Sequence, residues 1–350
     1  VLSAMREAGR AHVTVKGGKF LEAVAAADTV VFDKTGTLTH ACPRVAKVIP
    51  FGENKETDML RLAACLEEHF PHSMANAVVE EAKRQGLTHE EFHSKVEYLV
   101  AHGIVSTVDG KRVLIGSAHF VFEDEKCKIP EGEQERFAML PEEYSHLFLA
   151  IGGQLAAVLC ISDPLREEAT AVLRTLRNMG IKRTVILTGD SQRTAAAIAS
   201  QLGVDEFRAE VLPAVKAEFV ARLRKEGHTV LMVGDGINDS PALSEADAGI
   251  AISDGAALAR EIADITIAAD SLWELVELRH VAMELMRRIH SNYRFVIGFN
   301  GALIALGVMG ILPPATSATL HNLSTLGVSL RSMSPLPKVQ KNVDTIISGD

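Results

Sequence analysis

Three short motifs place carboxylate and hydroxyl side chains directly after apolar runs. The motifs are VVFDKTGTLT, VILTGDS and LMVGDGINDSPAL, and their residues of chemical interest are Asp33, Thr188, Gly189, Asp190, Asp235 and Asp239. A carboxylate is a poor nucleophile towards phosphate unless charge repulsion is cancelled, and Mg²⁺ held by oxygen ligands cancels it. The motifs therefore predict phosphoryl transfer to Asp33, with Mg²⁺ between Asp33, Asp235 and the phosphate.

Two further side chains fit the same chemistry. Thr188 can donate a hydrogen bond to an equatorial phosphoryl oxygen, and Lys216 in the run LPAVK can neutralise the group in transfer. Taken singly, each feature has an ordinary structural explanation: a strand-end Asp often caps a helix, a GDG often forms a turn, and a Lys often lies on an exposed helix face. Their occurrence in order, each after a predicted strand, favours a catalytic site.

These motifs need a fold that brings several strand ends together. From Asp163 onward, predicted helices at 166–179, 191–202 and 214–225 alternate with the strands TVILT and TVLMVGD. Such alternation predicts an α/β fold with a doubly wound parallel sheet, in which ligands bind beyond the carboxyl ends of the strands.

The strand TVVFD lies far upstream of its predicted sheet partners. The segment between them, at about residues 50–157, is therefore predicted to be a domain inserted into a loop of the sheet. Its predicted elements are amphipathic helices at 58–68 and 73–84 and hairpin turns at Asp109-Gly110 and Gly152-Gly153.

Composition bounds the class of protein. The chain has 350 residues, 23% of them charged, with a formal net charge of −9, which argues against a nucleic-acid partner because such proteins normally present a basic face. The four cysteines are scattered without a CxxC pair, which predicts reduced thiols in a cytosolic environment. The sequence opens on Val1 without a signal-peptide pattern.

The C-terminal part carries one long apolar run, at 295–312, of about the minimum length for crossing a bilayer. Arginines precede this run, and Arg331, Lys338 and Lys341 follow the next segment, which favours a membrane hairpin with both ends in the cytosol. A buried core helix is the alternative for the same run.

The three motifs resemble those of haloacid-dehalogenase-like phosphotransferases, and DKTGTLT with GDGIND resembles the signature of P-type ATPases. The run DPLR at 163–166 fits the same family. The resemblance implies that Thr35 stands where phosphatases of this fold have a general acid–base Asp, so hydrolysis of the aspartyl-phosphate is slow. It also implies that Thr35 joins the magnesium and nucleotide sites, with Gly189 and Asp190 in contact with the nucleotide.

Within that family the chain is similar to transition-metal pumps. The runs KGG and LE at 16–22 match the entry to their phosphorylation site. The resemblance implies that Glu67 and His72 line an adenine pocket and that Gly103 lets the backbone approach the nucleotide closely. Two positions depart from the family pattern: Ser73 stands in place of a Pro, and Ala101 replaces the first glycine of a Gly-x-Gly.

The resemblance implies a domain order. The predicted parts are the end of a membrane helix and a linker (1–18), a split phosphorylation domain (19–49 and 158–285), an inserted α+β nucleotide-binding domain (50–157), two transmembrane helices (286–336) and a cytosolic tail (337–350). An actuator domain and further membrane helices upstream are implied as parts of the same protein. The implied location is the cell membrane, multi-pass, with the catalytic domains in the cytosol.

The predicted function is ATP-dependent transport of a transition-metal cation, through phosphorylation of Asp33 with ATP and Mg²⁺. Asn300 and His321 are expected to face the metal pathway, since polar groups at membrane depth need a partner or a cavity. They could instead simply hydrogen-bond neighbouring helices. Two other functions stay open: a soluble phosphatase or phosphotransferase of the same fold, and a nucleotide-binding module without catalysis.

Overall fold

The computed structural model describes residues 1–40, 42–68, 73–87, 97–99, 103–142, 144–235, 239–252, 261–268 and 271–336. The helices are α1 (Leu2–Arg10), α2 (Gly18–Ala26), α3 (Glu56–Glu67), α4 (Ser73–Arg84), α5 (Gln134–Ala138), α6 (Ala169–Asn178), α7 (Gln192–Leu202), α8 (Pro213–Lys225), α9 (Ser240–Glu245), α10 (Trp273–Val308) and α11 (Pro314–Met333). Two short irregular helical turns lie at Lys34–Leu38 and His119–Asp124.

Thirteen strands form two sheets in the described part of the chain. They are β1 (Val13–Val15), β2 (Thr29–Asp33), β3 (Arg44–Pro50), β4 (Glu97–Leu99), β5 (Gly103–Val108), β6 (Lys111–Gly116), β7 (Ser145–Ile151), β8 (Gln154–Ser162), β9 (Arg183–Leu187), β10 (Glu206–Arg208), β11 (Val230–Gly234), β12 (Ala248–Ile252) and β13 (Ile265–Ile267).

The first sheet has seven strands in the order β1-β13-β12-β11-β2-β9-β10. Strands β2, β11, β12 and β13 pair in parallel, and β1 closes one edge antiparallel to β13. Every residue of β2, β11 and β12 is buried, as expected for strands covered on both faces. The prediction of a parallel α/β sheet that includes the upstream strand is confirmed.

The second sheet is antiparallel, with six strands in the order β3-β8-β7-β6-β5-β4. Its two predicted hairpins are present: Asp109 and Gly110 both have positive φ between β5 and β6, and Gly152 and Gly153 do between β7 and β8. One face packs against α3 and α4, around Leu60, Leu149 and Leu159. This sheet therefore has its own apolar core.

The described contacts divide the chain into two compact units, one of residues 1–33, 168–185 and 212–350 and the other of residues 34–167 and 186–211. Strand β3 lies before the domain boundary predicted at residue 50, and it pairs with β8 in the six-stranded sheet. The predicted domain boundaries remain a prediction.

Helices α10 and α11 pack against each other as a C-terminal hairpin. Within the described residues, none of the helices combines the length and the apolar character that a bilayer crossing requires. The two transmembrane helices predicted at 286–336 remain a prediction. The hydropathy is low because α11 is rich in Ser and Thr and carries His321, while the first half of α10 is charged. Lys338 and Lys341 lie outside the described residues.

Candidate phosphoryl-transfer site

Asp33 is the last residue of β2 and is only 6% exposed. Its Oδ1 accepts a hydrogen bond from Lys216 Nζ, which also donates to Oδ1 of Asp239 at 2.8 Å. Lys216 lies in the first turns of α8, and Asp239 directly precedes α9, so the packing of these helices on the sheet fixes both side chains. The structure thus brings three of the predicted catalytic residues into one buried ion-pair network.

Negative charge exceeds positive charge in this network. Burial, the charge of Asp239 and, less strongly, the charge of Asp235 raise the pKa of Asp33 to about 7, against the lowering effect of Lys216. Burial is also the main cause that raises the pKa of Asp239. Burial lowers the pKa of Lys216, but the Asp33 and Asp239 carboxylates outweigh it, so the net shift is upward. Lys216 therefore stays protonated beside carboxylates of reduced acidity.

Gly234, at the end of β11, leaves the space that the Asp239 side chain occupies. A Cβ atom at Gly234 would lie 2.7 Å from Oδ2 of Asp239, so the Asp239 side chain would have to move. Asp235 follows directly and is described, whereas residues 236–238 of the motif lie outside the described residues. The first glycine of the GDG run therefore has a packing role in the site itself.

The donor set fits a hard divalent cation. Three carboxylates, those of Asp33, Asp235 and Asp239, act on one another around a single ammonium group, and Oδ2 of Asp239 is buried without a hydrogen-bond partner in the described part of the chain. No group of three or more His, Cys, Asp or Glu in that part is arranged to hold a metal alone. Mg²⁺ commonly takes only one or two carboxylates and completes its shell with water and phosphate oxygens.

A second polar cluster surrounds Asp190. Its Oδ2 lies 2.5 Å from Lys34 Nζ and accepts a hydrogen bond from Thr188 Oγ1 at 2.9 Å, while its Oδ1 accepts one from Ser145 Oγ at 2.7 Å. Burial raises the pKa of Asp190, but the charge of Lys34 and the hydrogen bonds outweigh it, so the net shift is downward. Thr188 is 3% exposed. Asp190 is therefore an ionised carboxylate that orders the TGD loop.

The loop after Asp33 has a conformation that needs glycine at one position. Gly36 has φ of 73°, and its backbone N–H donates to Thr39 Oγ1. Arg166 of the DPLR run is buried, and its Nε donates to the carbonyls of Thr37 and Thr39 at 3.0 and 3.2 Å. Thr35 precedes Gly36 in an extended conformation. Gly189 has no neighbouring atom that a Cβ would meet, so packing gives no reason for that glycine.

The predicted adenine pocket is only partly described. Glu67 ends α3, is 2% exposed, and has a pKa that burial raises to about 7. A Cβ atom at Gly103 would lie 2.4 Å from the carbonyl oxygen of Ile115, so the pairing of β5 with β6 itself requires glycine there. His72 lies outside the described residues. The roles of these residues stay predictions.

Asn300 and His321 meet across the C-terminal hairpin. Nδ1 of His321 lies 2.9 Å from Oδ1 of Asn300, so the two side chains are hydrogen-bonded partners. This contact is the one expected if the two residues join neighbouring helices. A metal-facing role stays a prediction.

Two members of the Asp190 cluster, Lys34 and Ser145, were not among the residues predicted from the sequence. Lys34 directly follows Asp33 within DKTGTLT, so its position in that motif could have predicted a place in the site. Ser145 is far from Asp190 in the chain, in a run with no motif, and nothing in the sequence marks it.

A family model for haloacid dehalogenase-like hydrolases matches residues 27–247, and the chain belongs to that family. Its relatives are metal-exporting P-type ATPases, as the sequence resemblance predicted. The chain is 38% identical over 335 residues to a zinc-exporting P-type ATPase of Mycobacterium marinum and 36% identical over 335 residues to a manganese-exporting one of Mycobacterium leprae. Each match covers 95% of this chain and 46% of the relative, so the chain spans about half the length of these proteins.

Solved structures agree with this relationship. A zinc-transporting PIB-type ATPase in the E2.Pi state matches with a TM-score of 0.70 and 32% identity, over 95% of this chain and 54% of that one. The catalytic domain of the CPx-ATPase CopB-B matches with a TM-score of 0.60 and 26% identity, over 79% of this chain and 98% of that one. The predicted fold class is confirmed for the α/β part of the chain.

Proposed function

We propose that the chain is the catalytic part of an ATP-driven transition-metal pump, in which Asp33 takes the γ-phosphoryl group of ATP. The observation that carries this proposal is the buried network in which Lys216 bridges the strand-end carboxylate of Asp33 and the carboxylate of Asp239. A nucleophilic carboxylate next to a fixed ammonium is what phosphoryl transfer to Asp requires, because the ammonium offsets the negative charge that converges there.

The proposed reaction has two steps. In the first, an oxygen of ionised Asp33 attacks the γ-phosphorus, the bond to the bridging oxygen breaks, and ADP leaves with that oxygen and its electron pair. In the second, water attacks the same phosphorus and releases inorganic phosphate and the Asp33 carboxylate. Lys216 keeps Asp33 in place. When the phosphoryl group binds, the Thr188 hydroxyl turns from Asp190 Oδ2 and donates its one proton to a phosphoryl oxygen.

Mg²⁺, held by Asp33 and Asp235 with a contribution from Thr35, would supply charge neutralisation and orient the phosphate. Thr35 has a hydroxyl where phosphatases of this fold have an acid–base Asp, so activation of water is weak and the aspartyl-phosphate persists long enough to drive a conformational change. Glu67, His72 and Gly103 would bind the adenine, with Gly189 and Asp190 next to the phosphates.

In the whole protein we propose that this reaction drives transport of a transition-metal cation at the cell membrane, together with an actuator domain and membrane helices. The names of the relatives support a metal cargo, since they are zinc, manganese and copper exporters. When Nδ1–H of His321 donates to Asn300, its Nε2 keeps a lone pair, which suits a borderline metal ligand. These two residues are the proposed contribution of this chain to the metal pathway.

The test is covalent labelling with γ-labelled ATP and Mg²⁺. The wild-type chain is expected to take up acid-stable, hydroxylamine-sensitive label, and Asp33→Asn is expected to take up none while it still binds ATP, because the amide keeps the shape and removes the nucleophile. Undiminished labelling of Asp33→Asn would refute the proposal. Rapid hydrolysis of small phosphomonoesters without retained label would instead identify a phosphatase.

A further inference from the structure

Three polar contacts join residues 142–145, at the start of β7, to residues 190–194, at the start of α7. We call this set of contacts the β7–α7 seam. The contacting pairs are Ser145 Oγ with Asp190 Oδ1 at 2.7 Å, Thr194 Oγ1 with the Tyr144 carbonyl at 3.1 Å, and Arg193 with Glu142 at 3.0 Å. The last pair is exposed and contributes little to stability. The hydrogen bonds made by Ser145 and Thr194 are therefore the main contacts of the β7–α7 seam.

The contact between the β7–α7 seam and the TGD loop is made at Oδ1 of Asp190. Oδ2 of Asp190 is taken by Lys34 and Thr188, whereas the donor to Oδ1 among the described side chains is Ser145. A carboxylate with donors on both oxygens cannot rotate without breaking a charge-assisted hydrogen bond. Ser145 thus fixes the plane of the carboxylate to which Lys34 and Thr188 are bound.

The position of Ser145 comes from the six-stranded sheet. Ser145 pairs with Ile161 of β8, and β7 continues through buried residues 147–150 between β8 and β6. The other side of the seam is also fixed, because Ser191 caps α7 by accepting from the N–H of Thr194. Ser145 is therefore held within the sheet, and Asp190 lies in the loop directly before the capped start of α7.

We propose that Ser145 is a positioning residue for phosphoryl transfer, acting through Asp190 on Thr188 and Lys34. The inference rests on the proposed function, in which the Thr188 hydroxyl, held by Asp190 before the reaction, turns to donate to the phosphoryl group. Ser145 touches none of the proposed reacting atoms. Its hydroxyl links the strand that carries it to the loop that orients the phosphate, so a displacement of β7 would release the carboxylate of Asp190.

The kinetic test compares Ser145→Ala with Ser145→Thr, which keeps the hydroxyl and suits a strand. Ser117→Ala is the matched control, since it removes another serine hydroxyl of the same sheet region, one that accepts from the N–H of Phe120. With saturating γ-labelled ATP, single-turnover labelling of Ser145→Ala is expected to be about tenfold slower, as for loss of one charge-assisted hydrogen bond. Affinity for a non-hydrolysable ATP analogue should stay unchanged, and Ser145→Thr should recover most of the rate.

Wild-type labelling rates in Ser145→Ala would overturn the proposal. So would a loss that Ser145→Thr fails to recover or that Ser117→Ala reproduces, because either result describes general damage to the sheet.

A second readout does not depend on activity. The hydrogen bond from Ser145 is one of the causes that hold the pKa of Asp190 low, so carbon-13 titration of the Asp190 carboxyl should show a higher pKa in Ser145→Ala. An unchanged Asp190 titration overturns the positioning role even if no phosphoenzyme is ever detected. Absence of label in the wild-type chain, by contrast, would refute the proposed function, while the titration would still decide the Ser145 contact.

Discussion

At the scale of single residues, Lys216 lies between two buried carboxylates, and the balance of charge there sets when Asp33 can react. Only the ionised carboxylate is a nucleophile, and burial together with the charge of Asp239 raises the pKa of Asp33 to about 7. In the absence of bound cation, the ionised fraction of Asp33 therefore rises as the pH passes through about 7, and carbon-13 titration of the Asp33 carboxyl in the Mg²⁺-free chain should have its midpoint there.

Asp239→Asn is expected to shift the titration midpoint of the Asp33 carboxyl in the Mg²⁺-free chain to lower pH. The substitution removes the largest electrostatic cause of the raised pKa and leaves Lys216 to pair with Asp33 alone, and both effects lower the pKa of Asp33. Carbon-13 titration of the Asp33 carboxyl in the absence of Mg²⁺ measures this shift and does not depend on activity. Asp28→Asn, at the opposite end of β2, is the control and should leave the midpoint in place. A midpoint that stays or rises in Asp239→Asn would contradict this account of the charges.

At the scale of elements, the long helix α10 is tied to two other helix ends by one buried side chain. Arg279 donates to the carbonyl of Val24 at 2.7 Å, to that of Ala27 at 3.1 Å and to that of Met179 at 3.0 Å, at the C-terminal ends of α2 and α6. The last carbonyls of a helix have no partner within it, and a cation there also complements the helix dipole. One guanidinium therefore satisfies the ends of two helices.

Arg279→Met is expected to destabilise this region by about 3 kcal/mol, because buried carbonyls would lose charge-assisted donors. Arg279→Lys should recover only part of the loss, since an ammonium lacks the planar fork of donors. Amide hydrogen exchange at the ends of α2 and α6 measures this local stability. A single global unfolding free energy would not, because a chain of two compact units does not unfold in one step. Arg174→Met, at an exposed position of α6, is the control. Equal exchange in both variants would refute the role of Arg279.

Elements with a strong local signal were predicted from sequence. The turns at Asp109-Gly110 and Gly152-Gly153 and the buried run of β2 are examples, because each depends on a few adjacent residues. Strand β3 was not assigned to the six-stranded sheet, because its partner β8 follows only after the whole inserted segment. Helix α6 begins at Ala169 rather than at 166, because Arg166 is bound to the carbonyls of the loop after Asp33.

The same distinction holds for the site. Asp33, Thr188 and Asp239 follow strands within motifs, and the geometry of a parallel sheet collects such residues. Ser145 and Arg279 act through tertiary contacts with residues far away in the chain, and no local pattern encodes those contacts.

At the scale of the whole molecule, the six-stranded sheet is completed by strands from both ends of the inserted segment. Strand β3 pairs with β8 from Arg44↔Ser162 to Pro50↔Ala157. Residues Leu159 and Ile161 of β8 belong to the core under α3 and α4. The sheet therefore needs residues outside the interval 50–157.

The segment 43–163, produced alone, is expected to fold, while the segment 50–157 is expected to lose cooperative unfolding. The shorter segment lacks most of β3 and the end of β8, and so removes buried apolar side chains and one strand of hydrogen-bond partners. Thermal unfolding followed by circular dichroism, with dispersion of amide NMR signals, compares the two segments. Equal stability of both segments would show that β3 is dispensable.

The central claim is that Asp33 itself carries the phosphoryl group, and its most direct test is to locate the modified residue. The wild-type chain would be phosphorylated with ATP and Mg²⁺, acid-quenched and treated with borohydride, which reduces an aspartyl-phosphate to homoserine. Tandem mass spectrometry of the peptide around VVFDKTG is expected to find homoserine at position 33, dependent on ATP and lost in Lys216→Ala through slower transfer. Homoserine at another Asp, or unmodified Asp33 in a chain that retains label, would contradict the account.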